Sequence, residues 1–196
     1  MAILILLTAY VVGSIPTGVL LSRIVGIDPR RVGSGNIGAT NVARAAGRWL
    51  GLATLIGDAL KGALPVLVAQ RADSTPWLPA FTGLATIAGH LWSCFLRLRG
   101  GKGVATAAGV FLVLSPPSVA IALGAFIATV TTSRYVSLGS MVAAAILPIT
   151  SFALDGTSWT TLAALATTIA IVAKHRDNLR RLSSGTEPKI GRPRPA

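Results

Sequence analysis

The sequence predicts an all-α integral membrane protein, a polytopic bundle of about seven transmembrane helices with its N-terminus outside and its C-terminus in the cytoplasm. Three observations carry this reading. Apolar residue types make up 52% of the 196 residues and charged types only 12%, too few charges to cover a water-soluble domain. The apolar residues run in long blocks without Asp, Glu, Lys or Arg. The 18 basic residues outnumber the 6 acidic ones and crowd into alternate loops, the pattern of positive-inside topology.

The first block, 2–22, has no basic residue ahead of its apolar run, and its charges begin afterwards at Arg23. It reads as a retained span and not as a cleaved leader. The second span, 49–70, holds Asp58 and Lys61 one helical turn apart, where each neutralises the other in lipid. The third runs over 77–96. As a single helix, the uncharged stretch from Gly103 to Ser133 would extend roughly 46 Å, far beyond a hydrocarbon layer of about 30 Å. Ser115, Pro116 and Pro117 stand near its middle, and two prolines remove two backbone donors, so the stretch divides into 104–114 and 118–132 as a hairpin. Spans over 136–154 and 158–174 complete the set. An odd number of crossings puts the termini on opposite sides. Every basic residue except Arg71 and the intramembrane Lys61 then falls on the C-terminal side, which the positive-inside rule assigns to the cytoplasm. Residues 1–182 read as a single domain, and 183–196, rich in proline and glycine, as a disordered cytoplasmic tail.

A single cysteine, Cys94, in an apolar block excludes a disulfide framework and a cysteine-based zinc site. The two histidines and scattered carboxylates form no metal-ligand pattern, so neither a metal nor a cofactor is expected. Three polar segments share the cytoplasmic side instead. The first, 28–47, reads DPRRVGSGNIGATNVARAAG. Gly33, Gly35 and Gly38 satisfy GxGxxG, but the dinucleotide fingerprint requires a strand before it and a helix after it, and here a transmembrane helix precedes. What remains is a glycine-rich turn opening a short helix. Its backbone N–H groups face an anion, and Ser34, Asn36, Thr40 and Asn41 add neutral donors beside Arg44; the plainer reading is a flexible capped loop.

The second segment, 89–107, contains Gly100-Gly101-Lys102-Gly103. Leu96 and Gly103 stand where a P-loop requires a glycine and a hydroxyl, so the P-loop pattern fails. Glycines flanking one lysine at a helix start still admit backbone amides and an ammonium to a phosphate, and Thr106 follows one turn later. Arg97 and Arg99 fit better as contacts to anionic head groups, and His90 as hydrogen-bonded structure. In the third segment, 174–187, His175 and Asn178 share one helical face with Arg181 a turn beyond, while Lys174, Arg176 and Arg180 suit an anchor on lipid phosphates.

Taken together, GSIPTG at 13–18, GSGNIGATNVAR at 33–44, GDALKG at 57–62, GH at 89–90, GGKGVAT at 100–106 and KHRDNLRRLSSGTE at 174–187 resemble, in order and over nearly the whole chain, the motifs of the PlsY family. These are bacterial membrane glycerol-3-phosphate acyltransferases that use acyl phosphate. Two departures are small: Leu179 stands where the family usually has isoleucine, and Arg97-Leu98-Arg99 make the approach to the lysine more basic. The resemblance implies transfer of a fatty acyl group from acyl phosphate to the 1-hydroxyl of sn-glycerol 3-phosphate. The products are lysophosphatidic acid and phosphate, in the first step of phospholipid synthesis, at the cytoplasmic face of the bacterial inner membrane. It carries over Ser34, Gly35, Asn36, Thr40, Asn41 and Arg44 to one phosphate, and Lys102 with Gly101, Gly103 and Thr106 to the other. His175, Asn178 and Arg181 complete the pocket, with Lys102, His175 and Asn178 as the catalytic set and Asp58–Lys61 as a structural pair. The partners implied are the two substrates and membrane lipids, with no nucleic acid and no obligate protein partner.

The residue inventory suits that chemistry. Two phosphate-bearing substrates account for anion-binding turns, and a long acyl chain accounts for a site at the membrane face. Acyl phosphate is already activated, so aligning the hydroxyl with the carbonyl suffices without a covalent nucleophile. Lys102, backbone amides and Asn178 suit the oxyanion and the leaving phosphate. The proton goes either to His175 as general base or to an oxygen of the departing phosphate. The HxxxxD pair of acyl-CoA-dependent acyltransferases is missing, because Phe95 and Arg180 stand five residues after His90 and His175. The rival reading is a transporter for a phosphorylated solute, but no repeated halves are evident and the polar path across the bilayer is limited to Asp58 and Lys61. A non-catalytic lipid-binding scaffold accounts for the basic loops and leaves the glycine turns unexplained.

Overall fold

The computed structural model describes residues 1–72 and 74–191, and no strand occurs among them. The chain forms two compact units, Met1–Leu114 and Ser115–Ala196. The first contains α1 (Ala2–Ser14), α2 (Thr17–Arg23), α3 (Ala39–Ala46), α4 (Arg48–Ala72), α5 (Leu78–Leu91), a 3-10 turn (Cys94–Leu96) and α6 (Val104–Leu114). In it α1 packs on α5, and α4 packs on α3, α5 and α6. The second contains α7 (Pro116–Ser133), α8 (Val136–Asp155), α9 (Trp159–Lys174) and α10 (Arg176–Ser183), with α8 between α7 and α9. Among the described residues, four segments are long and apolar enough to cross a membrane: Ala2–Arg23, α4, α7 and α8; α6 and α9 are shorter apolar helices.

Many large aliphatic side chains face outward while polar ones are buried beside an apolar core that includes Leu78, Leu91 and Phe111. Leu55, Ile56, Leu60, Leu64 and Val68 of α4 are exposed, whereas Thr54, Asp58 and Lys61 of the same helix are buried. Large aliphatic side chains lose nothing by facing lipid, and small residues and partnered polar groups share the helix contacts with buried apolar ones such as Val66, Val110 and Phe111.

Three boundaries differ from the sequence reading. The first span is divided at Pro16, which has no N–H to give Val12; Ile15 N–H donates to Val12 O at 3.1 Å and Thr17 N–H turns back to Ile15 O at 3.0 Å. The third span ends as a helix at Leu91 and not at 96, because Gly101 N–H reaches His90 O at 3.0 Å and Gly100 N–H reaches Leu91 O at 3.3 Å. These loop amides serve the helix's last carbonyls, which would otherwise lack donors. The break at Ser115 falls as expected, but Pro116 and Pro117 open α7 and do not merely precede it; in a first turn the missing N–H groups have no intrahelical partner to lose. Pro148 lies inside α8, where it cannot donate to Ala144 O, and Thr168 Oγ1 approaches that carbonyl to 2.5 Å from α9.

The segment after α10 makes defined contacts. Thr186 and Glu187 N–H groups donate to Arg181 O at 2.8 and 3.1 Å, Ile190 N–H donates to Arg134 O at 2.9 Å, and Lys189 Nζ lies 5.1 Å from the Tyr135 ring centre. One carboxylate and a set of backbone bonds place 186–190 against α8 and α10. Residues 192–196 of the expected tail lie outside the described residues.

Helix contact in the first unit depends on absent side chains. A Cβ on Gly109 of α6 would stand 1.9 Å from Ala59 O, and one on Gly62 of α4 would stand 2.2 Å from Thr106 O. Gly13 and Gly89 bring α1 and α5 together in the same way, with Cβ positions 2.0 Å from Thr86 O and 2.1 Å from Tyr10 O. Gly109→Ala is therefore expected to separate α4 from α6 and cost about 1–3 kcal/mol, read as a lower Tm in detergent. Gly124→Ala, at a helical site with nothing within 4 Å, leaves Tm unchanged or raises it slightly.

Candidate active site

The 28–47 segment folds around one side chain. Asn41, 3% exposed at the start of α3, accepts Ser34 N–H on Oδ1 at 2.9 Å. Its Nδ2 hydrogens face three carbonyls: Pro29 O at 2.8 Å, Val32 O at 3.1 Å and Asn36 O at 2.8 Å. Gly33 and Gly35 adopt φ +62° and +70°, and a Cβ on Gly33 would strike Asn41 Oδ1 at 2.4 Å. The turn is also seated on α2, since a Cβ on Gly18 would meet Ile37 O at 2.0 Å.

This changes the expected division of labour. The amides of Ser34, Gly35 and Gly38 are committed within the loop, to Asn41 Oδ1, Val32 O and Asn36 Oδ1 respectively. Asn41 and Asn36 therefore shape the turn, and its exposed polar residues include Arg31, Ser34, Thr40 and Arg44. Arg30 is paired instead with Asp28, whose carboxyl is held at about 2 chiefly by the Arg30 side-chain hydrogen bond.

The lysine loop is built on α5. Gly100 and Gly101 rest against His90: Cβ atoms there would stand 1.9 Å from His90 O and 2.3 Å from His90 Nε2. Gly103 takes φ +79° with Leu91 beneath it. Lys102, between them, is half-buried. Behind His90 lies Asp58, its Oδ1 3.8 Å from His90 Nδ1 and 2.8 Å from Lys61 Nζ; Lys61 in turn donates to Ile15 O at 2.7 Å, beside the break at Pro16. All three ionisable groups are under a tenth exposed. Thr106 is fully buried, its Oγ1 without a hydrogen-bond partner among the described residues.

In the second unit His175 is 2% exposed, and its Nδ1 lies 2.8 Å from Ile171 O. A carbonyl only accepts, so Nδ1 carries the hydrogen and the neutral ring has its lone pair on Nε2. Asn178 Nδ2 and Ser137 Oγ both donate to Glu187 Oε1 at 2.6 Å, and Arg181 Nε donates to Glu187 Oε2 at 2.7 Å. Burial acts to raise the Glu187 carboxyl, but the bonds from Ser137, Asn178 and Arg181 outweigh it and hold the group below its ordinary value.

Glu187 is the residue that sequence reasoning missed, though it closes the last motif. The available signal was an acid four residues beyond the end of a strongly basic helix. Arg181, expected on a substrate phosphate, is bound to this carboxylate, which neutralises it and fixes its direction. The arrangement supplies two chemical settings: in the first unit, cations beside glycine-built turns; in the second, a tautomer-fixed histidine beside a clasped asparagine.

Residues 3–185 match the family described as Glycerol-3-phosphate acyltransferase. Among curated relatives, a glycerol-3-phosphate acyltransferase of Geobacter sulfurreducens is 52% identical, covering 93% of this chain and 94% of that protein. One of Geobacter metallireducens is 54% identical, covering 96% and 97%. The crystal structure of PlsY, an integral membrane glycerol 3-phosphate acyltransferase, in its glycerol 3-phosphate form superposes with a TM-score of 0.93 at 37% identity, covering 97% of this chain and 96% of that one. Its lysophosphatidic acid form superposes with a TM-score of 0.91 at 36% identity.

A carboxyl lowered in the folded state stabilises it above the ordinary carboxylate value of 4.5 and loses that contribution as pH falls through the folded value. Glu187→Gln is thus expected to lower stability at neutral pH by about 1–2 kcal/mol. Tm profiles of the two proteins in detergent should converge as the pH drops below that range.

Proposed function

The chain belongs to the glycerol-3-phosphate acyltransferase family, and on that premise we propose that it takes its acyl group from acyl phosphate and delivers it to the 1-hydroxyl of sn-glycerol 3-phosphate. The acyltransferase activity toward glycerol 3-phosphate follows from the family; the transporter reading is not favoured. The observation that carries the choice of donor is the pair of glycine-built turns with cations beside them, Arg31 and Arg44 at one and Lys102 with Arg97 and Arg99 at the other. Two phosphate-bearing substrates call for two such places. The missing HxxxxD pair speaks against acyl-CoA.

In the proposed reaction the acceptor hydroxyl oxygen attacks the acyl carbonyl carbon, and the carbon–oxygen bond to phosphate breaks. Ser34, Thr40 and Arg44 hold one phosphate, on a turn that Asn36, Asn41 and Gly35 shape. Lys102, flanked by Gly101 and Gly103 with Thr106 beneath, meets the other and neutralises charge developing on the leaving group. The hydroxyl proton passes to His175 Nε2, whose lone pair is directed by the Nδ1–H bond to Ile171, or to an oxygen of the departing phosphate. Asn178 and Arg181 act from the Glu187 clasp.

The family match runs through both compact units, which supports reading 1–182 as one acyltransferase domain. The distribution of basic residues supports seven crossings, with the N-terminus outside and these loops on the cytoplasmic face of a bacterial inner membrane.

Purified protein in detergent is expected to release phosphate from palmitoyl phosphate only when glycerol 3-phosphate is present, with lysophosphatidic acid as co-product. Lys102→Ala should lower that rate by about 10²–10³-fold, the usual effect of removing a charge-stabilising donor. Acceptor-independent release, or turnover with palmitoyl-CoA alone, would contradict the proposed donor and acceptor roles.

A further inference from the structure

The Asp58–Lys61–His90 group is buried and ionisable, and the reaction as written does not use it. Its surroundings give it a task. We propose that His90 is a positioning residue for Lys102: its imidazole and carbonyl form the seat on which Gly100 and Gly101 rest, with the Asp58–Lys61 pair behind it. The inference deepens the reading of Lys102 as a phosphate-binding cation and rests on it.

Both faces of the seat are defined. On the loop side, the Gly101 Cβ position lies 2.3 Å from His90 Nε2, 3.1 Å from Cε1 and 3.3 Å from Cδ2, so the backbone lies against the imidazole edge with no room for a methyl group. Gly101 N–H donates to His90 O at 3.0 Å, which fixes the loop's height above the helix end. Gly101 does not need the left-handed region, so its requirement is space and not φ. On the helix side, His90 Nδ1 is 3.8 Å from Asp58 Oδ1, and Asp58 is anchored by Lys61 at 2.8 Å. Lys61 is anchored in turn by Ile15 O at 2.7 Å, a carbonyl beside the Pro16 break.

The next residue in this chain of contacts is Lys102. A lysine is a point charge on a flexible stem, and its backbone must be placed if the ammonium is to meet one phosphate oxygen repeatedly. Displacement by about 1 Å is enough to cost about 10²-fold in rate. Three motifs thereby serve one purpose: GDALKG provides the anchor, GH the seat, and GGKG the loop that rests on it.

The test compares His90→Asn, which keeps a polar group toward Asp58 and removes the ring edge, with Gly101→Ala, which keeps the ring and pushes the loop away from it. Each is made in the full chain with Lys102 present and with Lys102→Arg. Acceptor-dependent phosphate release from palmitoyl phosphate, the inhibition constant of inorganic phosphate and Tm are measured in detergent. Each substitution is expected to lower kcat/KM by about 10–100-fold and to weaken phosphate inhibition at a temperature well below its own Tm, where the protein is fully folded. In the Lys102→Arg background each should cost less than about 3-fold more, because both act through the same group.

Equal losses in the two backgrounds would overturn the proposal, as would losses that follow Tm while phosphate inhibition is unchanged. Parental activity in either substitution would overturn it too. If one variant does not fold, the other decides by the same criteria. A Lys102→Ala protein with full activity would instead refute the reading of Lys102 itself.

Discussion

The structure depends on the absence of water along most of the chain. Lipid offers no hydrogen bonds, so backbone amides and carbonyls and most buried hydroxyls and charges find partners within the protein, the Ser22, Thr106 and Thr167 hydroxyls being exceptions among the described residues. This constraint explains features that share no sequence signal. Thr54, Thr82, Thr86 and Thr129 turn their hydroxyls back onto carbonyls of their own helices. Ser14 joins α1 to the end of α5 by accepting Cys94 N–H at 3.4 Å and donating to Gly89 O at 3.3 Å, while its carbonyl accepts Ser93 Oγ at 2.6 Å. Where proline removes a donor, another group approaches the carbonyl left over, as Thr168 does at Ala144.

The same constraint accounts for the glycines. Helices in lipid gain little by burying leucine, so they associate by bringing backbones close, and glycine permits the closest approach. Gly13, Gly62, Gly89 and Gly109 all face a carbonyl of the neighbouring helix at distances that would exclude a Cβ. A glycine-rich sequence is easily taken as a set of ligand-binding turns. Here many glycines serve helix contact, and those in the loops divide between positive φ at Gly33, Gly35 and Gly103 and lack of space at Gly100 and Gly101.

Charge inside the protein follows the rule that a buried ion must have partners. Asp58 is held by Lys61 within one helix and lies near His90 on another, so two helices and a loop are linked through one carboxylate. Glu187 plays a comparable part in the second unit, where α8 and α10 both supply donors to it. Glu187 is surrounded by donors that suit its charged form, and Asn178 and Arg181 are among them. Asn41 also meets the protein's own groups. An amide with its oxygen and nitrogen both facing the backbone of its own loop shapes the site that Ser34, Thr40 and Arg44 present.

Composition and order determined a good deal without any coordinates: a helical membrane protein, the positions of its apolar segments within a few residues, and the family. Those properties depend on local hydrophobicity and on which residues occur together in a motif, and both can be read along a line. The tertiary structure decided which groups each motif residue meets within the protein. Whether Gly101 faces a phosphate or an imidazole, whether Asn178 and Arg181 face a substrate or Glu187, and whether the last motif ends in a loose tail or a clasp all depend on partners distant in the chain. A hydrogen bond is a property of two groups brought together in space, and spacing along one segment does not specify the second group.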